Sequence, residues 1–161
     1  MAVGGPVVSD VSLKTELVVD GLKAPTSMSF LAPNDIFVTE KNSGIVQRVL
    51  NGTISKVPLI QLNVSTADER GLLGIALSAS KKNVFLYYTN PAHEGKTIIN
   101  NVYRYDLVDD KLANPKLLLD LPGLPGPQHN GGKLAIGTDN NLYIAIGDVG
   151  GSFVGTDSET K

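Results

Sequence analysis

A strand–turn–strand unit recurs three times along this chain, and that repeat constrains its fold more than any single residue does. Ser27-Met-Ser-Phe-Leu31 leads through the turn Ala32-Pro-Asn-Asp35 into Ile36-Phe-Val-Thr-Glu40. Leu73-Gly-Ile-Ala-Leu77 leads through a polar turn into Val84-Phe-Leu-Tyr-Tyr-Thr89. Lys133-Leu-Ala-Ile136 leads through Gly137-Thr-Asp-Asn-Asn141 into Leu142-Tyr-Ile-Ala-Ile146. Starting at residues 27, 73 and 133, the unit has intervals of about 46 and then about 60 residues. The longer interval holds two insertions, Asn90–Thr97 and Pro122–Gln128.

After the first two units come further strand-like runs, Ile45–Val49 with Ile54–Leu59 and Asn101–Leu107 with Lys116–Leu119. Val, Ile, Leu, Thr and Tyr cluster in these runs, with Gly, Asn, Asp and Pro between them. Four-stranded units of this length are the signature of propeller blades. Continuous apolar runs fit inner strands covered on both faces. The expected fold is therefore all-β, about two and a half blades of a β-propeller. Residues 27–62 make one blade, 73–120 a second, and 133–146 half of a third. Closed propellers carry 4–8 blades, so the chain is expected to be part of a longer ring, with open edges that favour self-association. Glu16-Leu-Val-Val19 is the expected outer strand of the ring's last blade. Residues 1–13 are expected to be an N-terminal extension, 14–150 the incomplete propeller, and 151–161 a loop or tail.

Composition narrows the function classes. The 161 residues include 14 basic and 16 acidic ones, a formal net charge of −2. No basic stripe of the kind that neutralises phosphates is present, which argues against a nucleic-acid partner. There is no cysteine, which excludes thiolate metal sites and cysteine nucleophiles. No apolar run approaches the roughly 18–20 residues of a membrane span. Asn51-Gly-Thr53 and Asn63-Val-Ser65 fit the N-glycosylation pattern, a short motif that also arises by chance.

The chemistry concentrates in Pro127-Gln-His-Asn-Gly-Gly132, a loop just before an inner strand. His129 suits a general base near neutral pH. Nineteen residues later Gly147-Asp148 ends the returning strand. A strand out and a strand back place both ends on one face, so Asp148 can meet the imidazole and orient it. Spacing leaves a second reading open, in which His129 caps a glycine-rich turn and Asp148 begins the next.

One blade earlier, Asp68-Glu-Arg-Gly71 occupies the same type of position. Glu69 or Arg70 could bind sugar hydroxyls at the propeller mouth, or form a solvated loop ion pair. Thr39-Glu40-Lys41 ends its strand at the position equivalent to Gly147-Asp148 and could line the same mouth, but reads rather as a surface charge pair. His93 reads as a solvent-exposed loop residue. Tyr87, Tyr88, Tyr103 and Tyr105 read as core and strand-pair residues. Asp106–Asp110 lacks the spacing of a calcium loop, and no metal site is assigned within the chain.

These stretches together resemble the glucose/sorbosone dehydrogenase family. The resemblance rests on Glu69-Arg-Gly-Leu-Leu-Gly-Ile-Ala76, Asn101-Val-Tyr-Arg-Tyr105, and His129-Asn-Gly-Gly-Lys-Leu with Leu142-Tyr-Ile-Ala-Ile-Gly-Asp148. It also includes Ala24-Pro-Thr-Ser-Met28 and Val38-Thr-Glu-Lys41, and spans roughly residues 15–150. It implies a six-bladed propeller holding pyrroloquinoline quinone (PQQ) at its mouth, with calcium. In such an enzyme the histidine takes the sugar hydroxyl proton while hydride passes to the quinone. That role maps onto His129, its supporting aspartate onto Asp148, and a substrate contact onto Glu69, beside Arg70. His129 and Asn130 are the expected cofactor contacts. The cations that pair with the quinone's carboxylates, and the calcium ligands, are expected outside this sequence, so this chain alone should hold PQQ poorly.

Two other readings remain. One is a non-catalytic propeller that binds protein or glycan, against which an intact His129/Asp148 pair weighs. The other is a calcium-dependent lactonase of similar shape, whose carboxylate cluster is not visible here. An extracytoplasmic location is expected from the resemblance alone.

Overall fold

The computed structural model describes residues 8–91 and 97–150. The described residues form strands and turns only, in three antiparallel sheets. The first sheet contains β1 (Pro25–Ala32), β2 (Asp35–Glu40), β3 (Ile45–Leu50), β4 (Thr53–Ile54) and β5 (Ile60–Gln61). Both short strands pair with β3, β4 opposite Val49–Leu50 and β5 opposite Ile45–Val46. They behave as one outer strand interrupted at residues 55–59. The second sheet is a four-stranded meander of β6 (Leu72–Leu77), β7 (Asn83–Asn90), β8 (Ile99–Val108) and β9 (Lys111–Pro122). The third is a strand pair, β10 (Gly131–Ile136) and β11 (Leu142–Ile146). Two blades and half of a third are thus present, as the repeat predicts.

Alternation along the second strand of each blade explains how the blades stack. Successive strand residues point to opposite faces, so β2 sends Phe37 one way and Ile36 and Val38 the other. Phe37 joins Val46, Leu72, Ile75, Val84, Leu86 and Tyr88 in the core between blades one and two. Tyr87, from the opposite face of β7, joins Val102, Ala76 and Leu134 between blades two and three. All six residues of β2 are buried, which accounts for the uninterrupted Ile36-Phe37-Val38 at its centre. Burying a Phe37-sized side chain contributes about 1.5–3 kcal/mol, so these inter-blade cores hold the stack together. At the rim of blade one, Arg48 forks onto both carboxylate oxygens of Asp35 at 2.8 and 2.6 Å and reaches Asp110 of blade two at 2.5 Å. The bidentate bond to Asp35 pushes the Arg48 guanidinium further above its ordinary range.

Residues 16–19 lie outside any strand here, and the blade they are expected to complete is not among the described residues. No sheet edge among the described residues pairs with them; instead Val19 and Leu22 lie against Ile36, Val38 and Val49 and cover the outer face of blade one. Glu40 is not half of a surface charge pair: it is buried and accepts the Lys23 backbone N–H and the Ser43 hydroxyl, both at 2.9 Å. A buried carboxylate requires such donors, and these tie the end of β2 to the chain that leads into β1. Tyr87, Tyr88 and Tyr105 are core residues as expected, and the half-buried Tyr103 stacks its ring on Tyr88 at 5.5 Å. His93 lies outside the described residues.

Candidate active site

The site is built where β7 and β11 end and β6 and β10 begin, at one rim of the blade stack. β10 and β11 pair antiparallel, with Gly131 opposite Ile146. The residues just outside that pair therefore meet. His129 Nδ1 lies 3.0 Å from Asp148 Oδ1. A carboxylate only accepts, so Nδ1 is the donor, and in the neutral ring this contact favours the tautomer with the lone pair on Nε2. Asp148 Oδ1 also accepts the Gly150 N–H at 3.2 Å, which holds the carboxylate in place. The pair is half open to solvent, with side-chain exposures of 49% and 55%.

Backbone geometry around the pair is tight. Val149 donates its N–H to the His129 carbonyl at 3.1 Å, and a Cβ on Gly147 would stand 1.7 Å from that same oxygen. A glycine is required at 147 for the strand end to pass so close. Gly132, at φ +107°, lies under Leu73 and Tyr87 of blade two. His129 itself has φ +57°, a left-handed conformation uncommon outside glycine.

Blade two supplies the restraints. Glu69 Oε2 accepts the His129 backbone N–H at 2.5 Å. Asp68 Oδ2 accepts from the Gln128 carboxamide at 2.7 Å, and Lys41 Nζ donates to the Asp68 carbonyl. Tyr87, buried in the core, donates its hydroxyl to the Asn130 carbonyl at 2.8 Å. Burial pushes that phenol up to about 12. Thr89 bonds Asn100 at 2.6 Å, and Asn100 donates to the Asn130 carboxamide oxygen at 3.2 Å.

The expected site residues divide accordingly. His129, Asp148 and Glu69 come together at one rim of the blade stack. Arg70 departs from the expected sugar contact. It is 5% exposed, and its Nη2 donates to the carbonyls of Gly123 at 2.5 Å and Gly126 at 2.9 Å. Nor is it in a solvated ion pair. Asn130 departs from the expected cofactor contact. It is 2% exposed, and its amide donates to the Pro127 carbonyl at 2.6 Å. Both side chains build the loop from inside. Sequence reasoning missed Tyr87, Thr89 and Asn100 as supports of this loop. Its available signal was polar residues inside strands whose neighbours are apolar, because a buried polar group implies a partner. Among the described residues no group of three or more His, Asp or Glu is arranged to hold a metal ion.

Stacked antiparallel blades, with a His–Asp pair on the loops at one rim, define part of a β-propeller. The chain belongs to the Glucose / Sorbosone dehydrogenase family, which it matches over residues 22–160. It is 32% identical to quinoprotein glucose dehydrogenase B of Acinetobacter calcoaceticus over 148 residues, 84% of this chain and 30% of that protein. It is 28% identical to the human Hedgehog-interacting protein over 151 residues, 81% of this chain and 21% of that one. Among solved structures it resembles an oxidoreductase of the glucose dehydrogenase type from Thermus thermophilus. That match has a TM-score of 0.73 and 31% identity, covering 83% of this chain and 40% of that one. The PQQ-bound aldose sugar dehydrogenase of Streptomyces coelicolor matches with a TM-score of 0.71 and 30% identity, over 84% and 41% of the two chains. The chain thus spans well under half the length of these relatives.

Proposed function

We propose that the protein to which this chain belongs is a PQQ-dependent sugar dehydrogenase, and that this chain carries its proton-accepting half. The observation that carries the proposal is the His129–Asp148 contact at 3.0 Å on a half-open rim, in a chain of this family. His129 Nε2 takes the proton of a sugar CH–OH group. Asp148 holds the ring in the tautomer that leaves Nε2 basic and stabilises the imidazolium that forms. Glu69, fixed through Oε2 to the His129 N–H, offers its other oxygen to a sugar hydroxyl.

PQQ, with calcium, is the proposed cofactor; when bound, it supplies the hydride acceptor. The described residues fit the sugar side of that chemistry and not the cofactor's carboxylates. Of the cations beside the loop, Lys41 bonds the Asp68 carbonyl and Arg70 is buried. None of the described cations is therefore assigned to the quinone's carboxylates, and His129 remains the proposed contact with the cofactor. An extracytoplasmic location belongs to the same proposal. Among the described residues no helix is long and apolar enough to cross a membrane.

The similarity to the Hedgehog-interacting protein supports a second reading, a propeller that binds a partner without catalysis. The two separate on the full-length protein loaded with PQQ and calcium, by following dye reduction with a panel of aldoses. Reduction by at least one sugar supports the dehydrogenase. No reduction by any sugar, with no change in quinone absorbance on mixing, leaves the binding reading.

A further inference from the structure

Among the described residues, Arg70 is the one cation that is buried. Its contacts are unusual for a buried charge. Its Nη2 meets only main-chain carbonyls, those of Gly123 and Gly126, and its buried Nε has no partner. Burying a guanidinium without a carboxylate is unfavourable. As a stabilising device alone, Arg70 would be a poor choice.

Its target suggests what it does. Gly123 and Gly126 lie in the connection from β9 to β10, the segment that ends in His129. That segment lies between strands, so its carbonyls need partners from elsewhere. Arg70 provides two of them from blade two, across 53 and 56 residues of sequence. The residue just before it, Glu69, takes the His129 N–H across 60 residues. Successive side chains of blade two therefore grip the start and the end of the loop that leads into blade three. The end of the loop holds His129 at φ +57°, a left-handed conformation that costs energy in a non-glycine residue and that such restraints stabilise.

We propose that Arg70 is a positioning residue for the base. By fixing Gly123 and Gly126 it keeps His129 in its left-handed conformation, with Nδ1 on Asp148. The proposal rests on the reading of His129 as the proton acceptor, but the geometry it asserts can be measured without turnover.

The test uses the full-length protein with Arg70→Met and Arg70→Lys. In the cofactor-free form, nitrogen NMR of the imidazole and amide hydrogen exchange at His129 report the geometry. The wild type should hold the Nδ1–H tautomer. In Arg70→Met the ring should revert to the mixture of a free histidine, and the His129 amide should exchange about tenfold faster or more. In the form loaded with PQQ and calcium, kcat should fall about 10–100-fold while KM for the aldose moves less than about threefold. Arg70→Lys, which keeps a donor of shorter reach, should fall between. If Arg70 only stabilises the fold, the variants will melt earlier, but kcat per folded molecule, tautomer and exchange will stay at wild-type values. That result overturns the proposal. Should Arg70→Met fail to fold, the two NMR readouts on Arg70→Lys decide. Failure of the dehydrogenase reading looks different: the wild type would reduce dye with no sugar, while tautomer and exchange still shift in the variants.

Discussion

Glu69 of blade two accepts the backbone N–H of His129 at the start of blade three, 2.5 Å away across 60 residues of sequence. The contact joins a carboxylate to the main chain of the proposed base, not to its ring. Glu69→Gln keeps an acceptor oxygen of the same reach and should lower kcat only a few-fold. Glu69→Leu removes it and should lower kcat about 10–100-fold, the scale of a small misplacement of a reacting group. Steady-state dye reduction by the full-length protein measures both, and equal effects of the two variants would remove the contact from the mechanism.

The His129–Asp148 pair makes separate demands on its two members. His129→Ala should lower kcat about 10²–10⁴-fold, the usual contribution of a general base. Asp148→Asn can donate to Nδ1 and so favours the opposite tautomer, with Nε2 protonated. Its kcat should fall by a similar factor, about 10²–10⁴. Turnover unchanged in either variant sinks the assigned role of that residue.

Tyr87 predicts a pH dependence of stability. Burial raises its phenol from the ordinary 10.0 to about 12 in the folded chain. Above pH 10 the unfolded chain ionises first, so the raised value contributes stability that is fully present below about pH 10. It is lost as pH climbs through about 12. Tyr88 and Tyr105 are shifted upward by burial as well and steepen the same limb. Urea unfolding from pH 8 to 12 should show a plateau and then a decline. Tyr87→Phe should shallow that decline and, by leaving the Asn130 carbonyl without its donor, lower stability by about 0.5–1.5 kcal/mol at neutral pH.

Gly147 tests the close approach behind the base. Because a Cβ there would stand 1.7 Å from the His129 carbonyl, Gly147→Ala must push the strand end away from the loop. Stability should drop by about 1–3 kcal/mol, and a crystal structure should show a lengthened Val149 N–H to His129 contact. Wild-type melting with unmoved coordinates would contradict the packing described here.

How much is legible in the sequence differs from element to element. The repeat locates β1–β2, β6–β7 and β10–β11 because each unit is two apolar runs around a polar turn. The strands β2, β6 and β7 are apolar throughout their centres because both of their faces are covered. Glu16–Val19 reads as an outer strand of the ring's last blade, and no strand of that blade is among the described residues for it to pair with. Glu40 and Arg70 look like surface charges when only their neighbours in sequence are considered. Their burial depends on donors and acceptors at Lys23, Ser43, Gly123 and Gly126.

For the site itself, sequence alone determined that His129 and Asp148 bracket one strand pair, since antiparallel pairing returns the chain to the rim it left. It determined blade order and the residues that could act as acid or base. Tertiary structure decided the rest. It decided which polar side chains of the Asp68–Arg70 and Gln128–Asn130 stretches face the mouth and which turn inward. It also joined the loop of blade two to that of blade three through contacts some 60 residues apart. Pairing within a blade follows from local pattern, whereas contacts between blades depend on how twisted sheets stack, and no local pattern encodes that.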